Sequence, residues 1–375
     1  MSGAPGGIGI RRVLMTTDTV GGVWHYAMTL IGELDRAGVA VDLVTFGGAP
    51  DAAQRATAAT FENCTLHRTD APCEWMQAPW PALDRLGEAL LTLARRLRPD
   101  LVHLNHYCHG DLPWPAPCLI VGHSCVRSWH EAAGEPAGAP PWDHYAERVR
   151  AGLQAADLIV TPTAAMGRAL ENHYGPLPPR RVIANGVPPM ARPVGPRQPI
   201  VLAAGRLWDR AKNLALLDAA AAGLPWPVQL AGQTQHPEGG QVRARRVDLL
   251  GQMTPTALRE RYAQAAIFAL PSRYEPFGLT AVEAALAGCA LVLGDIPSLR
   301  EVWGDAADYA PVDDAAALRA TLAALIADPA RRAERAGAAQ RHAQRYLAPA
   351  MAAGYLACYR DLVMGQHTAE AEAAA

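Results

Sequence analysis

Lysine is almost absent from this chain. Of the 34 basic residues in 375, only Lys212 is lysine, so whatever compositional bias replaced lysine with arginine elsewhere spared that position. Charge of either sign is also sparse: 19% of residues are charged, the formal net charge is −2, and half the residues are hydrophobic. That balance excludes the basic footprint of a nucleic-acid binder and the composition of a disordered chain, and it points to small-molecule chemistry. No apolar run approaches the ~20 residues of a membrane span. Met1 to Arg12 lacks the apolar core of a secretory signal, so a cytoplasmic protein is expected, with a peripheral membrane contact left open. Seven cysteines, odd in number and without Cys-x-x-Cys spacing, fit reduced buried thiols rather than a disulfide framework.

The length suits two domains of roughly 150–200 residues. In the first half, strand-like runs at Val13 to Thr17, Val39 to Phe46, Leu101 to Leu104, Leu119 to Val121 and Leu158 to Val160 alternate with helical patterns. The helices are expected at Val23 to Gly38, Leu83 to Leu97, Trp142 to Ala155 and Ala164 to His173. After a further short run at Val182 to Ala184, the proline-rich stretch 187–199 reads as a linker between a first domain, 1–186, and a second, 200–346. The alternation then restarts at Ile200, with a helix at Leu214 to Ala222, strands at Val228 to Ala231 and Val247 to Leu250, and a helix at Pro255 to Ala265. A strand follows at Ala290 to Leu293, and the Ala- and Arg-rich segment from Ala315 onward is helical. Strands separated by helices imply parallel sheets covered on both faces. The expected fold is therefore α/β, two doubly wound Rossmann-like domains facing a central cleft. Residues 366–375 read as a frayed, disordered tail.

The most informative segment is Ser272-Arg-Tyr-Glu-Pro-Phe-Gly-Leu-Thr-Ala-Val-Glu283. It follows the apolar run Ala265 to Pro271, which reads as a buried parallel strand, and opens a small-residue helix from Gly278 to Leu286. Open α/β sheets bind ligands at this end of a strand, and the unpaired N–H groups of Phe277, Gly278 and Leu279 would carry the positive end of a helix dipole toward an anion. Glu283, one turn further in, is poor for phosphate but suits the two vicinal hydroxyls of a ribose. A sugar nucleotide fits both halves of that description.

This segment resembles the E-x7-E element of the retaining nucleotide-sugar glycosyltransferases of family four, which have the two-Rossmann-domain GT-B fold, and the resemblance extends from Met15 to about Tyr359. It implies that Glu283 holds the ribose, and that Glu275 with the adjoining amides holds sugar hydroxyls and phosphate. Arg206 and Lys212, in Ala204-Gly-Arg-Leu-Trp-Asp-Arg-Ala-Lys-Asn213, match the family's Arg and Lys on the donor diphosphate. Gly21 and Gly22, in Thr19-Val-Gly-Gly-Val-Trp24, match the loop that closes on that diphosphate, and His123, in Val121-Gly-His-Ser-Cys125, matches the active-site histidine that approaches the sugar from the first domain. In the resembled fold the last helix, here about 347–365, crosses back to the first domain. The implied reaction is retaining glycosyl transfer from a nucleoside-diphosphate sugar to an acceptor hydroxyl, with His123, Glu275, Arg206 and Lys212 at the reacting centre. A UDP-sugar serves as substrate, and neither a metal nor another cofactor is expected. The chain departs from the family where Asn213 follows the lysine in place of glycine.

The residues alone leave other readings open. Asp209 could pair with either cation as a structural salt bridge, and Glu74 to Trp80, Asn105 to Asp111 and Trp129 could line an acceptor site or be plain packing. His103, His106, Cys108, His109 and His123 invite a zinc reading, but their spacing matches no standard site. The dinucleotide fingerprint G-x-G-x-x-G is missing, and Asp42 lies inside the second strand rather than at its end, which argues against a nicotinamide cofactor. A nucleotide-sugar epimerase of related fold and a non-catalytic nucleotide-sugar-binding subunit stand as alternatives.

Overall fold

The computed structural model describes residues 9–134, 142–190, 195–235 and 242–373, so part of the expected linker, 191–194, and the last two residues of the expected tail lie outside the described residues. The chain divides into two compact units: residues 1–128, 136–186 and 348–375 form one, and 129–135 with 187–347 form the other.

The first unit is built on seven parallel strands, β1 (Arg12–Asp18), β2 (Ala40–Phe46), β3 (Cys64–His67), β4 (Leu101–Leu104), β5 (Cys118–Val121), β6 (Leu158–Thr161) and β7 (Arg180–Val182). Their order is β3-β2-β1-β4-β5-β6-β7. Strands β4, β5 and β6 are buried throughout, as expected for strands covered on both faces. The helices α1 (Gly22–Arg36), α2 (Ala52–Ala58), α3 (Trp80–Leu97), α4 (Val126–Ala133), α5 (Trp142–Ala155) and α6 (Ala164–Tyr174) connect them, and α4 is divided between the units after Ser128. The apolar stripe of α1, including Trp24, Ala27, Leu30, Ile31 and Leu34, is buried in one core with Val13, Met15, Val41 and Leu43.

The second unit carries six parallel strands, β8 (Gln198–Ala204), β9 (Val228–Ala231), β10 (Asp248–Gly251), β11 (Ala265–Leu270), β12 (Ala290–Gly294) and β13 (Asp308–Ala310), in the order β10-β9-β8-β11-β12-β13. Its helices are α7 (Leu214–Ala220), α8 (Pro255–Gln264), α9 (Leu279–Leu286), α10 (Pro297–Trp303), α11 (Ala315–Ala327) and α12 (Pro329–Ala343). A core of Val201, Leu217, Leu230, Ile267, Val292 and Leu322 fills the sheet's face.

The last helix, α13 (Ala348–Ala373), belongs to the first unit, where Met351, Tyr355, Cys358 and Tyr359 join the core beneath α1. It continues to Ala373, past the point at which composition marks a frayed tail, because its small residues favour helix after the packed face ends. The second sheet begins two residues before the expected linker ends, at Gln198. All seven cysteines are free thiols and six are buried. No helix among the described residues is long and apolar enough to cross a membrane.

Candidate active site

Both sheets reverse their strand order at one point, and the candidate residues collect at those points. In the second unit the chain runs outward from β8 through β9 to β10, then returns to β11 on the other side of β8. Loops leaving the carboxyl ends of β8 and β11 therefore diverge around a crevice, the usual ligand position in an open α/β sheet.

The β8 loop carries Arg206 and Lys212, and the β11 loop carries Glu275. Asn213 joins the two loops: its Nδ2 donates to the Pro271 carbonyl at 3.0 Å and to the Val312 carbonyl at 2.7 Å. The backbone of Asn213 is left-handed, with φ 60° and ψ 40°, at the junction of a short 3-10 turn and α7. Asparagine tolerates that conformation, so it stands in for the family's glycine and adds two anchoring hydrogen bonds. The Arg273 N–H donates to the Ala211 carbonyl at 2.8 Å, a second clasp between the loops.

With the loops so held, Lys212 Nζ reaches Glu275 Oε2 at 2.5 Å, both side chains mostly buried. Ser298, in the first turn of α10, pins the Glu275 backbone by donating its hydroxyl to the Glu275 carbonyl at 2.6 Å. Past Glu275 the chain turns through Phe277, whose ring is buried edge-on against Tyr346, and Gly278, whose φ of 89° is a left-handed conformation suited to glycine. Helix α9 starts there, and its first N–H groups have no intrahelical partner. Glu283 lies one turn into α9 beside Tyr262 of α8, a phenol whose pKa is pushed up by burial and further by that carboxylate. Sequence reasoning did not find Tyr262, since nothing local links two residues on different helices.

Arg206 is not a free cation. Its Nη2 lies 3.0 Å from Asp209 Oδ2, and its guanidinium stands 5.4 Å from the Trp208 ring centroid. Asp209 is buried and accepts two further bonds at Oδ1, from the Ala211 N–H at 3.0 Å and from the Trp129 indole N–H at 2.9 Å. The structural salt bridge left open by the sequence is thus present, and it fixes the arginine in place while leaving 41% of its side chain exposed. Trp129 serves this carboxylate.

In the first unit the order reverses at β1 and β4. The β1 loop ends in Gly21, at φ 92°, and Gly22, where a Cβ would meet nothing within 4 Å, so the start of α1 is unobstructed. His123 follows β5, with Nε2 at 2.7 Å from Asn105 Oδ1 and its ring edge-on to Tyr26 at 4.5 Å. Burial, and His103 nearby, hold its pKa well below the ordinary histidine range, so it is neutral at pH 7. Asn105, immediately after the reversal strand β4, was grouped by the sequence only with an aromatic-rich stretch.

That stretch, and the one around Glu74, are interior. Tyr107, Cys108 and His109 are buried, Trp75, Met76 and Trp80 pack against the core of α3, and Glu74 accepts the N–H groups of Tyr107 and Cys108 at 3.1 and 3.0 Å. Among the described residues, His106, Cys108 and His109 bring ligand atoms within 4.8 Å of one another. All four ring nitrogens there are already engaged: His106 with Thr16 Oγ1 at 3.0 Å and His109 at 2.5 Å, and His109 in turn with the Leu83 carbonyl at 2.7 Å. A metal would have to break that chain.

The comparisons with known proteins agree with this geometry. Residues 20–190 match the model described as Glycosyltransferase Family 4, and residues 198–328 match that of Glycosyl transferases group 1. A glycogen synthase of Mycobacterium tuberculosis is 28% identical over 88% of this chain and 89% of its own length. An alpha-maltose-1-phosphate synthase of the same species is 32% identical over 60% of this chain and 67% of its own length. Among solved structures, a sucrose-phosphate synthase from Thermosynechococcus elongatus superposes with a TM-score of 0.78 over 97% of this chain and 100% of that one, at 22% identity. Two parallel-sheet units with this strand order are the GT-B architecture, and the chain belongs to glycosyltransferase family 4.

Proposed function

We propose that this glycosyltransferase moves a glycosyl group from a nucleoside-diphosphate sugar, a UDP-sugar, to an acceptor hydroxyl with retention of anomeric configuration and without a metal ion. The observation that carries the reading is the meeting of Lys212 and Glu275 at the strand-order reversal of the second unit, beside the N-terminus of α9. A cation, a carboxylate and a helix N-terminus at one point suit a ligand that is at once a diphosphate and a polyol.

In this reading Glu283 receives the ribose hydroxyls, and Glu275 with the N–H groups of Phe277, Gly278 and Leu279 receives sugar hydroxyls and phosphate. Lys212 and Arg206 offset the charge that builds on the leaving diphosphate as the C1–O bond breaks. The new bond forms between C1 and the acceptor oxygen on the same face, and the acceptor proton passes to a departing phosphate oxygen. In the first unit taken by itself, the backbone at Gly21 and Gly22 suits a phosphate and the His123 ring suits a sugar hydroxyl. The positive field comes from side chains and backbone, so the reaction has no need of a metal.

Thermal-shift screening against a panel of nucleoside-diphosphate sugars identifies the donor, because a ligand specific to the folded state raises its apparent stability. Proton NMR of the first product from an α-linked donor then reads the anomeric coupling: an α-glycoside is expected, and a β-glycoside overturns the mechanism. Transfer should survive EDTA. Conversion of the donor to an isomer without any acceptor would replace this reading with that of an epimerase.

A further inference from the structure

We infer that Asn105 is a positioning residue that fixes His123 as its Nε2–H tautomer and presents Nδ1 as a hydrogen-bond acceptor, so that the substrate group at that nitrogen is a hydroxyl donor rather than a carboxylate or phosphate. The inference deepens the reading in which His123 contacts the sugar.

The directions of the bonds behind His123 follow from two fixed acceptors, the carbonyls of Leu83 and Thr16. The Leu83 carbonyl can only accept, so His109 donates from Nε2, at 2.7 Å. A neutral imidazole carries one N–H, which leaves His109 Nδ1 as an acceptor for His106 Nε2–H at 2.5 Å. His106 Nδ1 then accepts, and Thr16 Oγ1 is its donor at 3.0 Å. With its proton so placed, the Thr16 oxygen accepts the Asn105 backbone N–H at 3.1 Å. Burial pushes the pKa values of both histidines down, which keeps each ring at a single N–H.

The Asn105 side chain completes the chain. Its Nδ2 donates to the Thr16 carbonyl at 2.7 Å, and the reversed amide would set two oxygens against each other there. Oδ1 must therefore point the other way, where it lies 2.7 Å from His123 Nε2 and 3.3 Å from His103 Nε2. An amide oxygen accepts only, so both imidazoles donate to it. His103 then has Nδ1 free to accept from the Tyr359 hydroxyl at 2.6 Å, so the C-terminal helix holds the second donor in register. On His123 the remaining lone pair is at Nδ1. A neutral acceptor nitrogen attracts an O–H and repels an anion.

The test is NMR of the full chain labelled with ring-15N histidine, with the His123 signals assigned through their loss in His123→Gln. The wild-type protein should show His123 as a single Nε2–H tautomer, and Asn105→Ala should show both tautomers. Asn105→Asp keeps the size of the side chain and an oxygen facing His123, while its second oxygen meets the Thr16 carbonyl without a donor. It should move the His123 titration midpoint up by about 1–3 pH units, since a carboxylate favours the imidazolium. An Nδ1–H tautomer in the wild type, an unchanged single tautomer in Asn105→Ala, or an unmoved midpoint in Asn105→Asp overturns the assignment. Wild-type turnover by His123→Ala would instead sink the functional reading and leave the tautomer standing.

Discussion

The ammonium of Lys212 and the carboxylate of Glu275, 63 residues apart in sequence, form an ion pair of 2.5 Å in the second unit. Each neutralises the other at a strand-order reversal, and both are assigned to the same ligand. A bound diphosphate would share Lys212 with Glu275, which leaves the carboxylate able to accept from sugar hydroxyls.

Lys212→Ala should lower kcat/KM on the order of 100-fold, the effect of removing one preorganised charge stabiliser. Lys212→Arg should not restore it, because a planar fork does not occupy the site of a compact ammonium that is only 18% exposed and already touches a carboxylate. Steady-state kinetics decide this, and near-wild-type turnover by the arginine variant would make the lone lysine an accident of composition.

Glu283→Ala should weaken nucleotide binding by about 1–3 kcal/mol, the scale of a lost charged hydrogen bond, while the fold stays intact. Titration calorimetry with UDP measures it. Unchanged affinity would reassign the carboxylate to its neighbour Tyr262.

Asn213→Ala and Asn213→Gly both lose the bonds to Pro271 and Val312, but only alanine must also bear a left-handed backbone at φ 60°. The alanine variant should be less stable than the glycine variant by about 1 kcal/mol. Equal denaturant midpoints for the two variants would show that the loop relaxes rather than holding its shape.

Burial raises the pKa of Glu74 from the usual carboxyl range to about 7, against the lowering effect of its two backbone donors. A raised carboxyl pKa means that the folded state binds the proton more tightly. Stability from this group is therefore full below about pH 4.5 and is lost as pH rises toward 7, by on the order of 3 kcal/mol. The buried neutral histidines act in the opposite direction, since His103, whose pKa falls to about 3, resists protonation and costs stability as pH drops below its unfolded value. Glu74→Gln removes the first effect and keeps the second. The gap between variant and wild type, measured by urea unfolding, should widen in favour of the variant from pH 4.5 to 7, and a constant gap would contradict the raised pKa.

Much of this was legible without coordinates. The buried runs at β5, β11 and β12 announce themselves because a parallel strand covered on both faces is apolar along its length. Strands β3 and β13 escaped notice because each lies at a sheet edge, is short, and mixes polar with apolar residues. Helix α2 was missed for a similar reason, with one buried residue in seven.

By itself the sequence determined that there are two α/β units, that a strand-to-helix turn follows Pro271 and opens α9, and that one lysine escaped the replacement of lysine by arginine. These follow from local rules: periodicity, loop chemistry and composition. Tertiary structure decided which charges meet. Arg206 pairs with Asp209 three residues on in the same loop, but Lys212 meets Glu275 because the loops from β8 and β11 leave adjacent strands, an adjacency set by crossover order. It also decided the hydrogen on His123. A tautomer depends on the partner of the other nitrogen, and that partner, Asn105, is oriented by Thr16 from 89 residues away, across the β1–β4 pair.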